Sequence, residues 1–96
     1  METEMVRSPD GFRLLQNYPN PFNPETLISY QLPAGDQVEL SVYNLLGEKV
    51  STLVSARKPA GKHEVRWDAS GFATGIYYYT LTTSTGTISR KMVYIK

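Results

Sequence analysis

Turn-forming residues interrupt this chain every ~8–12 positions from Phe12 onward, a spacing that suits strands and leaves no room for a helix long enough to bury a face. Between the Pro, Gly, Asn and Asp clusters lie short runs of β-branched and aromatic side chains, which favour a pleated, half-buried backbone. Seven runs are predicted as strands: Phe12 to Gln16, Leu27 to Leu32, Val38 to Asn44, Lys49 to Val54, His63 to Asp68, Ile76 to Thr82 and Thr87 to Ile95. Leu46-Gly47 and Thr85-Gly86 suit tight hairpins, so neighbouring strands should pair antiparallel. The links Ala56 to Lys62 and Ala69 to Gly75 are long enough to cross between sheets. The predicted architecture is therefore all-β, a seven-stranded antiparallel β-sandwich with Greek-key connections.

Successive side chains of a strand point to opposite sides, which gives each run a predicted core face. Ile28, Tyr30 and Leu32 fall together, as do Val38, Leu40 and Val42, and then Val65 and Trp67. The run Ile76-Tyr77-Tyr78-Tyr79 is bulky on both faces. That pattern fits either a central strand covered on two sides or one whose outer face meets another surface.

With 96 residues the chain has apolar surface for one core, and 41% hydrophobic residues with seven Tyr exclude a disordered tail. A net charge of +1, spread over interleaved acids and bases, supplies no field for gathering nucleic acid. The absence of Cys removes disulfides and thiolate chemistry without fixing a compartment. Residues 1–11, ending in Ser8-Pro9-Asp10-Gly11, read as a linker or a leftover of expression, with the folded domain spanning 12–96. Met1 to Val6 lacks the basic start and apolar run of a secretory signal, so an export signal, if there is one, is expected elsewhere.

Catalysis usually needs a nucleophile, a base and an orienting group, and His63 is the sole imidazole. On a strand, His63 shares a face with Val65 and Trp67 while Asp68 lies on the other, so the segment does not assemble a His–Asp pair. The carboxylates Glu25, Asp36, Glu39, Glu48, Glu64 and Asp68 stand singly, without a calcium-loop pattern. Asp68 is read as a strand-end turn residue accepting backbone N–H bonds. No catalytic residue, cofactor, metal or small-molecule substrate is expected. Trp67 and the Tyr77 to Tyr79 stripe leave a carbohydrate-binding or adhesive module appended to a secreted enzyme as the alternative function.

The least ordinary segment is Asn17-Tyr18-Pro19-Asn20-Pro21-Phe22-Asn23-Pro24, where three prolines fix φ and remove three hydrogen-bond donors. It cannot be a paired central strand. Tyr18 and Phe22 are expected to anchor this stiff loop on the end of the sandwich.

At these residues the chain resembles a known family, the type A C-terminal sorting domains of the bacterial type IX secretion system. Four signatures in order carry the resemblance: NYPNPFNP (17–24), VYNLLGEKV (42–50), PAGKHEVRWDASGFATGIYYYTL (59–81) and GTISRKMVYIK (86–96). The positions within the first three that carry it are Asn17, Tyr18, Pro19, Asn20, Pro21, Phe22, Gly47, Gly61, Asp68, Gly75 and Tyr77. The chain departs from the commonest family pattern at Asn44 and Phe72, where Asp and Leu are frequent. The HEVRWD and GIYYY segments are also similar to flagellar hook-capping immunoglobulin-like domains.

The resemblance implies an immunoglobulin-like sandwich with no enzymatic role. It implies a domain that directs a covalently linked upstream cargo across the periplasm and through an outer-membrane translocon. A surface sortase then cleaves before Phe12, leaving the cargo at the cell surface or outside the cell. The last strand, with Gly86, Arg90, Lys91, Met92, Val93, Tyr94, Ile95 and Lys96, is implied as the segment that the translocon recognises. An edge strand there would offer unpaired backbone groups and charge to a receptor.

Overall fold

The computed structural model describes residues 6–7 and 11–96. Eight strands form among them: β1 (Val6–Arg7), β2 (Arg13–Leu14), β3 (Glu25–Leu32), β4 (Asp36–Tyr43), β5 (Lys49–Lys58), β6 (Gly61–Asp68), β7 (Gly75–Thr83) and β8 (Gly86–Tyr94). Strands β2 to β8 are the seven expected from the turn spacing. The extra strand, β1, pairs with β2 and falls within the segment read as linker, the rest of which apart from Gly11 lies outside the described residues.

Two antiparallel four-stranded sheets pack face to face, ordered β1-β2-β3-β6 and β5-β4-β7-β8. The chain crosses between them at Pro33–Gly35, at Pro59–Ala60 and at 69–74, while β4–β5 and β7–β8 are hairpins within one sheet. These crossings are compatible with Greek-key winding. Alternation sets the core as expected: Ile28, Tyr30, Leu32, Val38, Leu40, Val42 and Trp67 are buried between the sheets, with Val65 packed at their margin. The tyrosine run resolves by the same rule. Strand β7 is central, with Tyr77 and Tyr79 turned into the core and Tyr78 turned out.

Two strands differ in length from the prediction by more than two residues, each for a physical reason. Strand β5 runs on to Lys58, and its register against β4 slips twice, opposite Leu53 and Val50. The slips turn Val50, Leu53 and Val54 toward the core, which strict alternation would not allow. Strand β2 ends at Leu14, and between the Leu15 N–H bond to the Ser29 carbonyl and the Tyr18 bridge to Leu27 a side chain takes the place of the ladder. The Tyr79 hydroxyl donates to the Leu15 carbonyl at 2.7 Å and accepts the Asn17 N–H at 2.8 Å. That one phenol ties residues 15–17 to the second sheet, on the side where Phe12 lies beside Gly86 and Arg90 donates to the Leu14 carbonyl at 3.2 Å.

Replacing Tyr79 with Phe keeps the ring and leaves both backbone groups without this partner. The Tyr79→Phe variant is expected to lose about 2 kcal/mol of stability, read as a lower urea midpoint at unchanged slope. An unchanged midpoint would mean that the hydroxyl is not what holds the segment.

Candidate functional site

The antiparallel order brings distant parts of the chain to one end of the sandwich. Glu25 pairs with Asp68 in the first sheet, Tyr43 with Lys49 and Tyr78 in the second, and Gly75 with Tyr94. The Pro-rich loop 19–24, the β4–β5 tip 44–48, the β6–β7 loop 69–74 and the last residues 95–96 therefore share that end. A shallow groove lined by Asn44, Leu45, Leu46 and residues 74–77 marks where the tip meets the start of β7. Gly61 and Gly86 lie at the opposite end, where their strands begin.

The Pro-rich loop does not stand apart from the last strand; it closes on that strand's outer edge. Its three X–Pro bonds are cis. Within it, the Phe22 N–H donates to the Val93 carbonyl at 3.0 Å, and the Ile95 N–H donates to the Phe22 carbonyl at 2.9 Å. Phe22 thus forms a one-residue parallel bridge opposite Tyr94. The Asn20 side-chain oxygen accepts the Val93 N–H at 2.9 Å, and Gln16 donates to the Lys91 carbonyl at 3.0 Å. The edge groups of Val93 and Ile95, expected to be open to a receptor, are filled from within.

The loop is held by packing on one side and by a polar network on the other. The Phe22 ring is 1% exposed, stacked on Tyr94 at 5.3 Å between centroids and tilted against Trp67 at 5.8 Å. Asn17, also buried, donates to Thr26 at 2.9 Å and to the Pro19 carbonyl at 3.1 Å, and Thr26 donates to that same carbonyl at 2.9 Å. Tyr18 does not anchor the loop. Its backbone bridges Leu27 while its ring is 79% exposed.

The remaining residues of the tip and loops are turn-builders. Asn44 receives the N–H groups of Leu46 at 2.9 Å and Glu48 at 3.0 Å on its side-chain oxygen, and Gly47 takes a left-handed φ of 84° there. The locked tip presents Leu45 and Leu46 to solvent. Asp68 accepts the Ser70 N–H at 2.8 Å, the strand-end role expected of it, and this bonding holds its carboxyl below the usual range. Tyr77 donates to the Ala73 carbonyl; burial, with Tyr94 beside it, pushes its phenol up. His63 stacks on Tyr30 and donates from Nε2 to the Pro59 carbonyl at 2.8 Å.

Alternation divides the last strand by role. Ile88, Met92 and Tyr94 are buried, and Arg90, half-buried, spends part of its guanidinium on Leu14. Thr87, Ser89, Lys91 and the half-buried Val93 face outward, followed by the exposed Ile95 and Lys96. Arg90 and Lys91, adjacent in sequence, are thus not one cationic patch. Trp67 is 3% exposed beneath Phe22, Phe72 and Tyr77, so Tyr78 is the ring of the aromatic stripe that reaches solvent. Among the described residues, no three His, Cys, Asp or Glu side chains converge as a metal site would require, and no helix is long and apolar enough to cross a membrane.

A family model described as the secretion system C-terminal sorting domain matches residues 16–96. No curated protein and no solved structure matches.

The contrast between the two loop aromatics is measurable. Phe22→Ala is expected to cost about 3–5 kcal/mol, and Tyr18→Ala no more than about 0.5 kcal/mol, in urea unfolding followed by Trp67 fluorescence. Equal losses would contradict the assignment of Phe22 as the anchor.

Proposed function

The chain belongs to the secretion system C-terminal sorting domain family, and from that membership we propose that it directs an upstream cargo through the outer membrane by display of its last strand. Domains of this family act as addresses and not as catalysts, and a type IX sorting signal sends its protein to the cell surface or beyond the cell. The cargo, covalently linked before Phe12, crosses the periplasm with the domain. An outer-membrane translocon engages the end of the sandwich where β8 finishes, and a surface sortase cleaves in the linker before Phe12, leaving the cargo released or attached.

The observation that carries this reading is the family match running through the terminal strand to Lys96. Its geometry supports the same part of the chain: Lys91 lies in the ladder with β7, the Ile95 N–H is held by the Phe22 carbonyl, and the side chains of Lys91, Ile95 and Lys96 are exposed. A backbone held in place loses less entropy when a partner binds its side chains, which favours recognition there over a fraying tail.

The test fuses the full chain behind a periplasm-directed fluorescent protein in a bacterium that has this secretion system. The reporter is expected at the cell surface or in the medium. The double variant Lys91→Glu/Ile95→Asp changes outward side chains only, so it is expected to keep its melting temperature within a few degrees and to strand the reporter in the periplasm. Export of the folded double variant at the parent level would overturn the reading.

A further inference from the structure

A strand frays where its ladder stops unless something ties it down. Here the ladder with β7 ends at Tyr94 opposite Gly75, and on the outer side the backbone groups of Val93 and Ile95 are held by Asn20 and Phe22. These two residues act differently. Phe22 is part of the core, whereas Asn20 is exposed, flanked by Pro19 and Pro21, and its side chain reaches across 73 positions of sequence to the Val93 N–H. Proline on both sides restricts the backbone around Asn20, so little freedom remains to be lost when its side chain makes that bond.

We propose that Asn20 and the Phe22 backbone are positioning elements for the sorting signal, which is therefore a composite of the Pro-rich loop and the last strand, not a linear C-terminal tail. The inference rests on the reading that the outward side chains of β8 are what the secretion machinery recognises. It goes further by stating how. The register that an incoming strand would need at Val93–Ile95 is filled by Phe22, so the partner does not add a strand there. It reads side chains: the apolar Val93 and Ile95 between the cations Lys91 and Lys96. That order of charge and apolar surface is complementary to a shallow apolar cleft with carboxylates at its rim.

The same full-chain fusion tests this with Asn20→Ala and Asn20→Asp, the second keeping an acceptor for the Val93 N–H. Amide hydrogen exchange and melting temperature are measured on each purified variant beside the exported fraction. Asn20→Ala is expected to speed exchange at Val93, to move the melting temperature by no more than a few degrees, and to lower export about three- to tenfold, the range for one hydrogen bond. Asn20→Asp is expected to restore both the protection of Val93 and export. If Asn20→Ala exports normally while Lys91→Glu/Ile95→Asp does not, the tail is read as a linear signal and this inference alone falls. If Asn20→Asp restores protection without restoring export, the partner reads the Asn20 amide itself and positioning is overturned. Normal export of the double variant removes the recognition reading and this inference with it.

Discussion

The bridge between Phe22 and the last strand is the contact on which the rest of this end depends. Through one residue the Pro-rich loop places an aromatic ring between Tyr94 and Trp67 and two backbone hydrogen bonds on the edge of β8. A ring alone would bury surface without fixing register, and two hydrogen bonds alone would compete with water at roughly even terms. Together they hold β8 from the side opposite β7, and they close one flank of the sandwich over Trp67. The Tyr79 hydroxyl does the preparatory work upstream by tying the Leu15 carbonyl and the Asn17 N–H to the second sheet.

Antiparallel topology explains why segments far apart in sequence share one end. Each hairpin returns the chain, so alternate connections must lie together, and here that set is the Pro-rich loop, the Asn44–Glu48 tip, the Asp68-to-Gly75 link and the final residues. Most of the residues that carry the family resemblance are structural when seen in place. Asn17 ties Thr26 to Pro19, Asp68 closes a turn, Gly47 takes a conformation costly for other residues, and Tyr77 packs on Trp67. They shape the end of the sandwich. Thr87, Ser89, Lys91, Val93, Ile95 and Lys96 are the members of the last signature left facing outward.

What was legible in the sequence follows from the range of the physics involved. Turn spacing and two-residue alternation are local, so β2 to β8 and the buried faces of β3 and β4 could be read directly. Alternation also separates Arg90 from Lys91, although their adjacency in sequence suggests one basic patch. The slips that turn Val50 and Leu53 inward leave no local signal, because they answer to the shape of the opposite sheet. Nor does sequence distinguish Tyr18 from Phe22. Both are aromatics beside prolines, and only the position of Trp67, brought over by β6, decides which ring has a place to go. The bond from Val93 to Asn20 spans the whole domain and belongs to the same class.

Edge protection ties these features to the work of an exported domain. A sandwich carried on another protein must cross compartments without pairing its open strands with other chains. Three edges here are blunted by three different means. Strand β5 is broken by its two register slips, and β6 turns Lys62, Glu64 and Arg66 outward. The end of β8 is covered by the Pro-rich loop. Covering β8 with a loop differs in one respect from the other two means, because it removes backbone recognition while leaving the outward side chains accessible. A strand blunted by bulges would lose its fixed side-chain geometry, and one blunted by charge alone would lose the apolar contact that Val93 and Ile95 supply. The loop covers the edge without either loss, which is why protection of the edge and the proposed display of the signal can reside in the same few residues.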